Sequence, residues 1–231
     1  MKICGLEKMS LVDFDGYVCA TVFTGGCNFR CSFCHNSPLV LSHDKLPLLD
    51  EEEVLSYLKK RRGVLDAVCV SGGEPTLQKD LPEFLTKIKS LSYKVKLDTN
   101  GTAPELIKEL YTDNLVDYFA MDIKNDRENY ANIIGFNSYD TYSVEKSVDF
   151  LMSLGDNYEF RTTIIKEFHN AQNILEIGKW IKGANKYFLQ KFKASENCIE
   201  SNLSAVDDET AKEFLQILKN YIPSVKLRGY D

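Results

Sequence analysis

The sequence predicts an α/β fold of parallel strands, and three observations carry that prediction. Short apolar runs rich in β-branched and aromatic residues alternate with amphipathic segments of helical period, six times along the 231-residue chain. Consecutive strand–helix units need right-handed crossovers between parallel strands, which leaves a partial or complete β/α barrel or an open doubly wound sheet. Polar clusters follow the first four strands in turn, at the carboxyl ends where ligands collect in such folds. With 44% hydrophobic residues the chain can bury a full core, so one domain spanning residues 1–231 is expected.

The first strand, residues 17–23, is apolar and β-rich, ends at Gly25-Gly26 and leads into a cysteine-bearing loop. Asp50 then caps a helix running to about Arg62, with Val54, Leu55 and Leu58 on one face. Strand two, residues 64–70, stops at Ser71-Gly72-Gly73-Glu74-Pro75. The helix after it starts near Asp80 with Pro82 in its first turn and presents Leu81, Phe84, Leu85, Ile88 and Leu91. Strand three, residues 93–97, delivers Asp98-Thr99-Asn100-Gly101, and a helix follows over 104–111. Strand four, residues 116–120, delivers Met121-Asp122-Ile123-Lys124; a polar loop then leads to a helix carrying Val144, Val148, Phe150 and Leu151. Strand five (158–165), a helix (173–182), strand six (186–190), a last helix (207–221) and a short strand-like tail complete the chain.

Net charge is −6 and the basic residues are dispersed, which argues against nucleic acid as a partner. The one compact basic group, Lys59-Lys60-Arg61-Arg62, ends a predicted helix, where positive charge complements the helix dipole. No stretch approaches the roughly 18 apolar residues of a membrane helix, and the first residues lack the apolar run of a signal peptide. A cytoplasmic protein in a reducing, oxygen-poor setting is expected.

Cys27, Cys31 and Cys34 form a C-x3-C-x2-C triplet within the loop 27–36. Three thiolates on one loop with no fourth ligand nearby suit a cubane 4Fe-4S cluster that keeps one iron open to an exchangeable ligand. A structural zinc site would need a second Cys or His pair, and none is visible at pair spacing; an odd total of seven cysteines argues against a disulfide framework.

The triplet, with Phe33 before its last cysteine and His35-Asn36 after it, resembles that of the radical S-adenosylmethionine (radical SAM) enzymes. The resemblance spans nearly the whole chain and implies a partial (β/α)6 TIM-like barrel. It also implies a cluster whose unique iron chelates SAM, an electron that cleaves SAM, and a 5'-deoxyadenosyl radical that abstracts hydrogen from substrate. Gly72-Gly73-Glu74-Pro75, about 40 residues after the triplet, matches the family segment that binds the SAM amino group. By itself it is a tight turn in which two glycines allow close backbone approach and Glu74 can accept from an ammonium.

Asp98-Thr99-Asn100-Gly101 and Asp122-Ile123-Lys124 resemble segments of the glycyl-radical-enzyme activases, and residues 5–16 resemble the start of the anaerobic ribonucleoside-triphosphate reductase activating proteins. The strand period of two puts Asp122 and Lys124 on one face. The resemblance implies that Lys124 contacts the SAM carboxylate, that Asp98, Thr99 and Asp122 surround a monovalent cation, that Phe33 packs on the adenine and that Asn36 hydrogen-bonds near it. Arg161, inside strand five, is a second candidate for the SAM carboxylate; its alternative is an internal ion pair. Gln190 lies where a ribose or substrate contact is expected. His35 is read as orienting the loop, and Cys4, Cys19, Cys69 and Cys198 as buried apolar residues.

The expected activity is therefore that of a radical SAM activase making a glycyl radical on a partner enzyme, an anaerobic ribonucleotide reductase above others. A flavodoxin or ferredoxin would donate the electron, and a single cluster is expected because no cysteine-rich insert is present. A six-stranded barrel would leave a side opening for the glycine-bearing loop. The competing expectations are a radical SAM enzyme acting on a small molecule and a non-enzymatic iron-sulfur or zinc sensor, which would leave Gly72 to Pro75 and Lys124 unexplained.

Overall fold

A computed structural model describes residues 1–230. Eight strands stand in the sheet in chain order: β1 (Ile3–Ser10), β2 (Cys19–Thr24), β3 (Ala67–Gly72), β4 (Lys94–Thr99), β5 (Tyr118–Asp122), β6 (Tyr158–Ile164), β7 (Tyr187–Lys191) and β8 (Lys226–Arg228). Pairing is parallel from β2 through β4 and from β6 through β8, while β1 runs antiparallel to β2. The helices are α1 (Ser37–Leu41), α2 (Glu51–Lys60), α3 (Leu81–Ser90), α4 (Pro104–Thr112), α5 (Tyr130–Ile133), α6 (Tyr142–Met152), α7 (Ala171–Trp180) and α8 (Asp208–Lys219). The backbone packs as two compact units, one of residues 1–28, 36–99 and 103–120, the other of residues 29–35, 100–102 and 121 onward.

In the first unit, β3 is buried on both faces from Ala67 to Val70, as expected for an interior parallel strand. Asp50 caps α2 by accepting from the Glu52 amide; Glu51, Glu52 and Glu53 fill its first turn and Lys59 and Lys60 its last, matching the dipole. α3 starts with Pro82 in its first turn and buries Leu81, Phe84, Leu85 and Ile88.

Several elements differ from expectation: β2 begins at Cys19 rather than residue 17, and β5 runs over Tyr118–Asp122 rather than 116–120, so that Asp122 lies in the strand. The second predicted strand begins at Ala67 rather than Val64, because Gly63 turns the chain at φ +82° and leaves Val64 exposed. β1 was not predicted at all: only its ends, Ile3 and Ser10, are buried, and register shifts interrupt its pairing, so no alternation shows in its sequence. The strand-like tail is real and pairs with β7 as β8.

In the second unit, β6 alternates its burial along Phe160 to Ile164 and pairs with β7 from Phe160↔Tyr187 to Ile164↔Lys191. α7 starts two residues earlier than expected because Asn170 caps it: the Asn170 side chain accepts from the Gln172 and Asn173 amides while Asn173 accepts from the Asn170 amide. An aromatic group of Phe29, Tyr130, Phe136, Tyr139 and Trp180 packs edge to face and stacked over the short helix α5.

Candidate active site

In the first unit the Gly72-Gly73-Glu74-Pro75 turn is built against the end of β2. The Gly73 amide donates to Thr24 O at 2.9 Å and the Glu74 amide to Gly26 O at 2.8 Å, and Gly26 N–H reaches Leu39 O at 2.8 Å. Gly72 sits at φ +116°, and a Cβ there would collide with the Thr24 backbone; at Gly73 it would collide with the Gly26 carbonyl. The close approach that the two glycines permit is therefore to the chain entering the cysteine loop.

Glu74 is buried, and its Oε1 accepts from Thr76 N at 3.2 Å, Thr76 Oγ1 at 2.6 Å and Thr99 Oγ1 at 2.8 Å. This converts a buried carboxylate into an oriented one. Thr99, expected beside a cation, thus gives its hydroxyl to Glu74. Asp98 accepts from Ser71 Oγ at 2.9 Å and lies 3.3 Å from the buried Lys96 ammonium. Asn36 stands at the N-cap of α1, its carbonyl accepting from the Leu39 amide at 2.9 Å, and Cys27 is half-buried in the loop after β2.

In the second unit Asp122 ends β5 and holds two cations. Its Oδ2 is 2.8 Å from Lys124 Nζ and its Oδ1 accepts from Arg161 Nε at 3.0 Å. Both expectations for this face stand together here: Asp122 and Lys124 meet on one side, and Arg161 makes the internal ion pair. Burial opposes the charge on Asp122, but the neighbouring Arg161 and Lys124 overcome it and hold the carboxyl below its usual range. Burial likewise works against the Lys124 ammonium, and Asp122 and Cys31 outweigh it, raising its proton affinity above that of an ordinary lysine.

Cys31 is buried and Cys34 half-buried, in a turn closed by Cys34 N–H donating to Cys31 O at 2.9 Å. Arg30 N–H reaches Ile134 O at 2.9 Å and Glu200 N–H reaches Ser32 O at 2.8 Å, tying the loop to its surroundings on both sides. Phe33 is buried, with Lys124 Nζ 5.6 Å from its ring centroid. The Lys124 ammonium thus lies near Cys31 as well as Asp122, so a positive charge stands beside the cysteine loop. Among the described residues no three His, Cys, Asp or Glu side chains converge as the ligands of one metal ion would. Gln190, in β7, donates to Thr163 Oγ1 at 3.4 Å and accepts from Arg228 Nη1 at 3.4 Å.

Three residues that the sequence reading set aside contact this site. Cys198, expected to be merely buried, is half-buried with Sγ 3.8 Å from Phe33 O. His169 donates from Nε2 to Lys124 O at 3.0 Å, and Tyr130 Oη accepts from Lys124 N–H at 3.4 Å. A lone Cys, His or Tyr far along the chain carries no spacing signal that could have announced these contacts.

Residues 21–181 match the family model described as the radical SAM superfamily. Over 233 residues, 98% of this chain and 95% of the relative, the chain is 31% identical to a Methanocaldococcus jannaschii protein whose name places it among the glycyl-radical enzyme activating enzymes. It is 28% identical over 244 residues to the pyruvate formate-lyase-activating enzyme of Clostridium pasteurianum, covering 96% of this chain and 98% of that one. Among solved structures, Streptococcus suis SuiB superposes with a TM-score of 0.71 at 14% identity over 90% of this chain, which spans about half of SuiB (48%). That likeness supports the partial-barrel fold, and no helix among the described residues is long and apolar enough to cross a membrane. The motif residues, the family match and the full-length relatives agree: this chain is an enzyme of the radical SAM superfamily, a family whose members use S-adenosylmethionine and a 4Fe-4S cluster.

Proposed function

We propose that this enzyme is a glycyl-radical-enzyme activase, with an anaerobic ribonucleotide reductase as its protein substrate. Similarity along the whole chain to two activating enzymes carries the activase reading, and the choice of partner rests on the resemblance of residues 5–16 to the anaerobic ribonucleoside-triphosphate reductase activating proteins. When bound, the cluster supplies the electron that splits SAM into methionine and a 5'-deoxyadenosyl radical, which takes a hydrogen from a backbone glycine of the partner.

The chain's own part is binding and orientation. Cys27, Cys31 and Cys34 would hold the cluster, and the Lys124 ammonium lies near Cys31. Lys124 spends one of its three donors on Asp122, so it can bind the SAM carboxylate without abandoning that partner, and Arg161 is the second cation there. Glu74, oriented by Thr76 and Thr99, accepts from the SAM ammonium on the Gly72-Gly73 turn. Phe33 packs on the adenine, with Asn36 and Gln190 as further contacts. Asp98, Thr99 and Asp122 are assigned to a monovalent cation, and the chain as a whole to a single cytoplasmic domain reduced by a flavodoxin or ferredoxin.

Anaerobic iron-sulfide reconstitution, reduction in the presence of SAM and quantification of 5'-deoxyadenosine test the chemistry, with Cys31→Ala as control. Product from the wild type only is expected. Adding anaerobic ribonucleotide reductase should then yield a glycyl radical doublet by electron paramagnetic resonance. Deoxyadenosine without any glycyl radical on that enzyme or on pyruvate formate-lyase would favour a small-molecule substrate instead.

A further inference from the structure

Lys124 lies two residues beyond the end of β5, where no strand partner holds it, yet its peptide groups are gripped on both sides by buried side chains. Its N–H donates to Tyr130 Oη at 3.4 Å, and its carbonyl accepts from His169 Nε2 at 3.0 Å. The His169 tautomer follows from its neighbours. Nε2 has only the Lys124 carbonyl to meet and carries the proton, while Nδ1, 3.3 Å from the Ile165 carbonyl, accepts the Ile165 amide at 3.1 Å, the arrangement that leaves neither the amide nor the Lys124 carbonyl without a partner.

The same two loops are joined at further points. Asn125 Nδ2 donates to Phe168 O at 3.1 Å and Asn173 Nδ2 to Asp126 Oδ2 at 2.6 Å. Asn125, Asp126, Tyr130, His169 and Asn173 are all buried. Helix capping accounts for Asn173 on α7, but not for an imidazole placed on the carbonyl of Lys124.

We infer that His169, with Tyr130, is a positioning residue that clamps the Lys124 main chain and so aims its ammonium at the SAM carboxylate. The inference rests on the reading of Lys124 given above. An ammonium on four rotatable bonds binds an anion well only if its root is fixed, and just beyond the strand ladder these two contacts fix the Lys124 peptide groups.

The test compares His169→Ala, His169→Gln, Tyr130→Phe and Lys124→Met in the reconstituted enzyme, reading KM for SAM and kcat in 5'-deoxyadenosine formation. Amide exchange of the peptide containing Lys124 is followed in the cluster-free protein. His169→Ala should raise KM about tenfold, as loss of an orienting partner does, with kcat moved less, and should speed exchange at Lys124. His169→Gln keeps a donor at similar reach and should recover most of both. Tyr130→Phe, which loses only the longer contact, should act in the same direction by a smaller factor. A double His169→Ala, Lys124→Met variant should be no worse in KM than Lys124→Met alone. If Lys124→Met raises KM and neither His169→Ala nor Tyr130→Phe does, the inference falls while the role of Lys124 stands. If Lys124→Met leaves KM unchanged, the role of Lys124 falls and takes the inference with it.

Discussion

Asp122 is negative between two positive side chains, and that charge order decides what its removal does. Asp122→Asn leaves Lys124 and Arg161 facing each other without the carboxylate that holds both. Breaking such a pair should cost about 2 kcal/mol here, below the full penalty for a wholly buried pair because the Asp122 side chain retains 30% exposure. Urea unfolding of the two proteins at neutral pH measures the difference. The carboxyl is held below its usual range in the folded chain, so its contribution is complete above the ordinary Asp pKa and is lost as pH falls below it. His169 titrates the opposite group type with a related outcome. Burial pushes its imidazole down to about 4, so the unfolded chain takes up a proton below about pH 6.5 that the folded chain refuses until about 4. Stability should therefore fall across that window by up to about 3 kcal/mol, and His169→Gln should remove this part of the slope. An unchanged slope would mean that the ring is solvated.

At the scale of elements, the turn after β3 and the cap of α7 make separate demands. Gly73→Ala would drive a methyl into the Gly26 carbonyl, where both sides are backbone and neither can swing away. A loss of about 3 kcal/mol, at the upper end of the usual overpacking cost, is expected, read as a lowered melting temperature. Asn170→Ala removes the acceptor for two orphan amides of α7 and should cost about 1 kcal/mol. If Asn170→Ala were neutral, the join between Asn173 and Asp126 would be holding the helix start by itself. The helices with strong apolar faces and acidic or proline starts, α2, α3 and α8, were legible in the sequence for these local reasons. β1 and the short helices α1 and α5 were not, because their residues are placed by pairing and packing with distant segments rather than by their own period.

For the whole molecule, the core residues of β2 through β7 and their helices are apolar and need no metal to bury them. Stripping iron with a chelator should abolish 5'-deoxyadenosine formation yet leave a cooperative thermal transition by circular dichroism. A non-cooperative apo-protein would show that the cluster is part of the fold. By itself the sequence determined the strand–helix alternation, the parallel sheet and the cysteine spacing that marks the radical SAM superfamily, because hydrophobic period and residue spacing are local properties written along the chain. It also announced Asp122 and Lys124 as a pair through the period of two. Only the tertiary structure decided that Arg161 shares Asp122, that Thr99 serves Glu74, and that His169 and Tyr130 hold Lys124. The two partners in each of these contacts lie far apart in sequence or outside any regular period, and a hydrogen bond between them exists only once the sheet has brought their loops together.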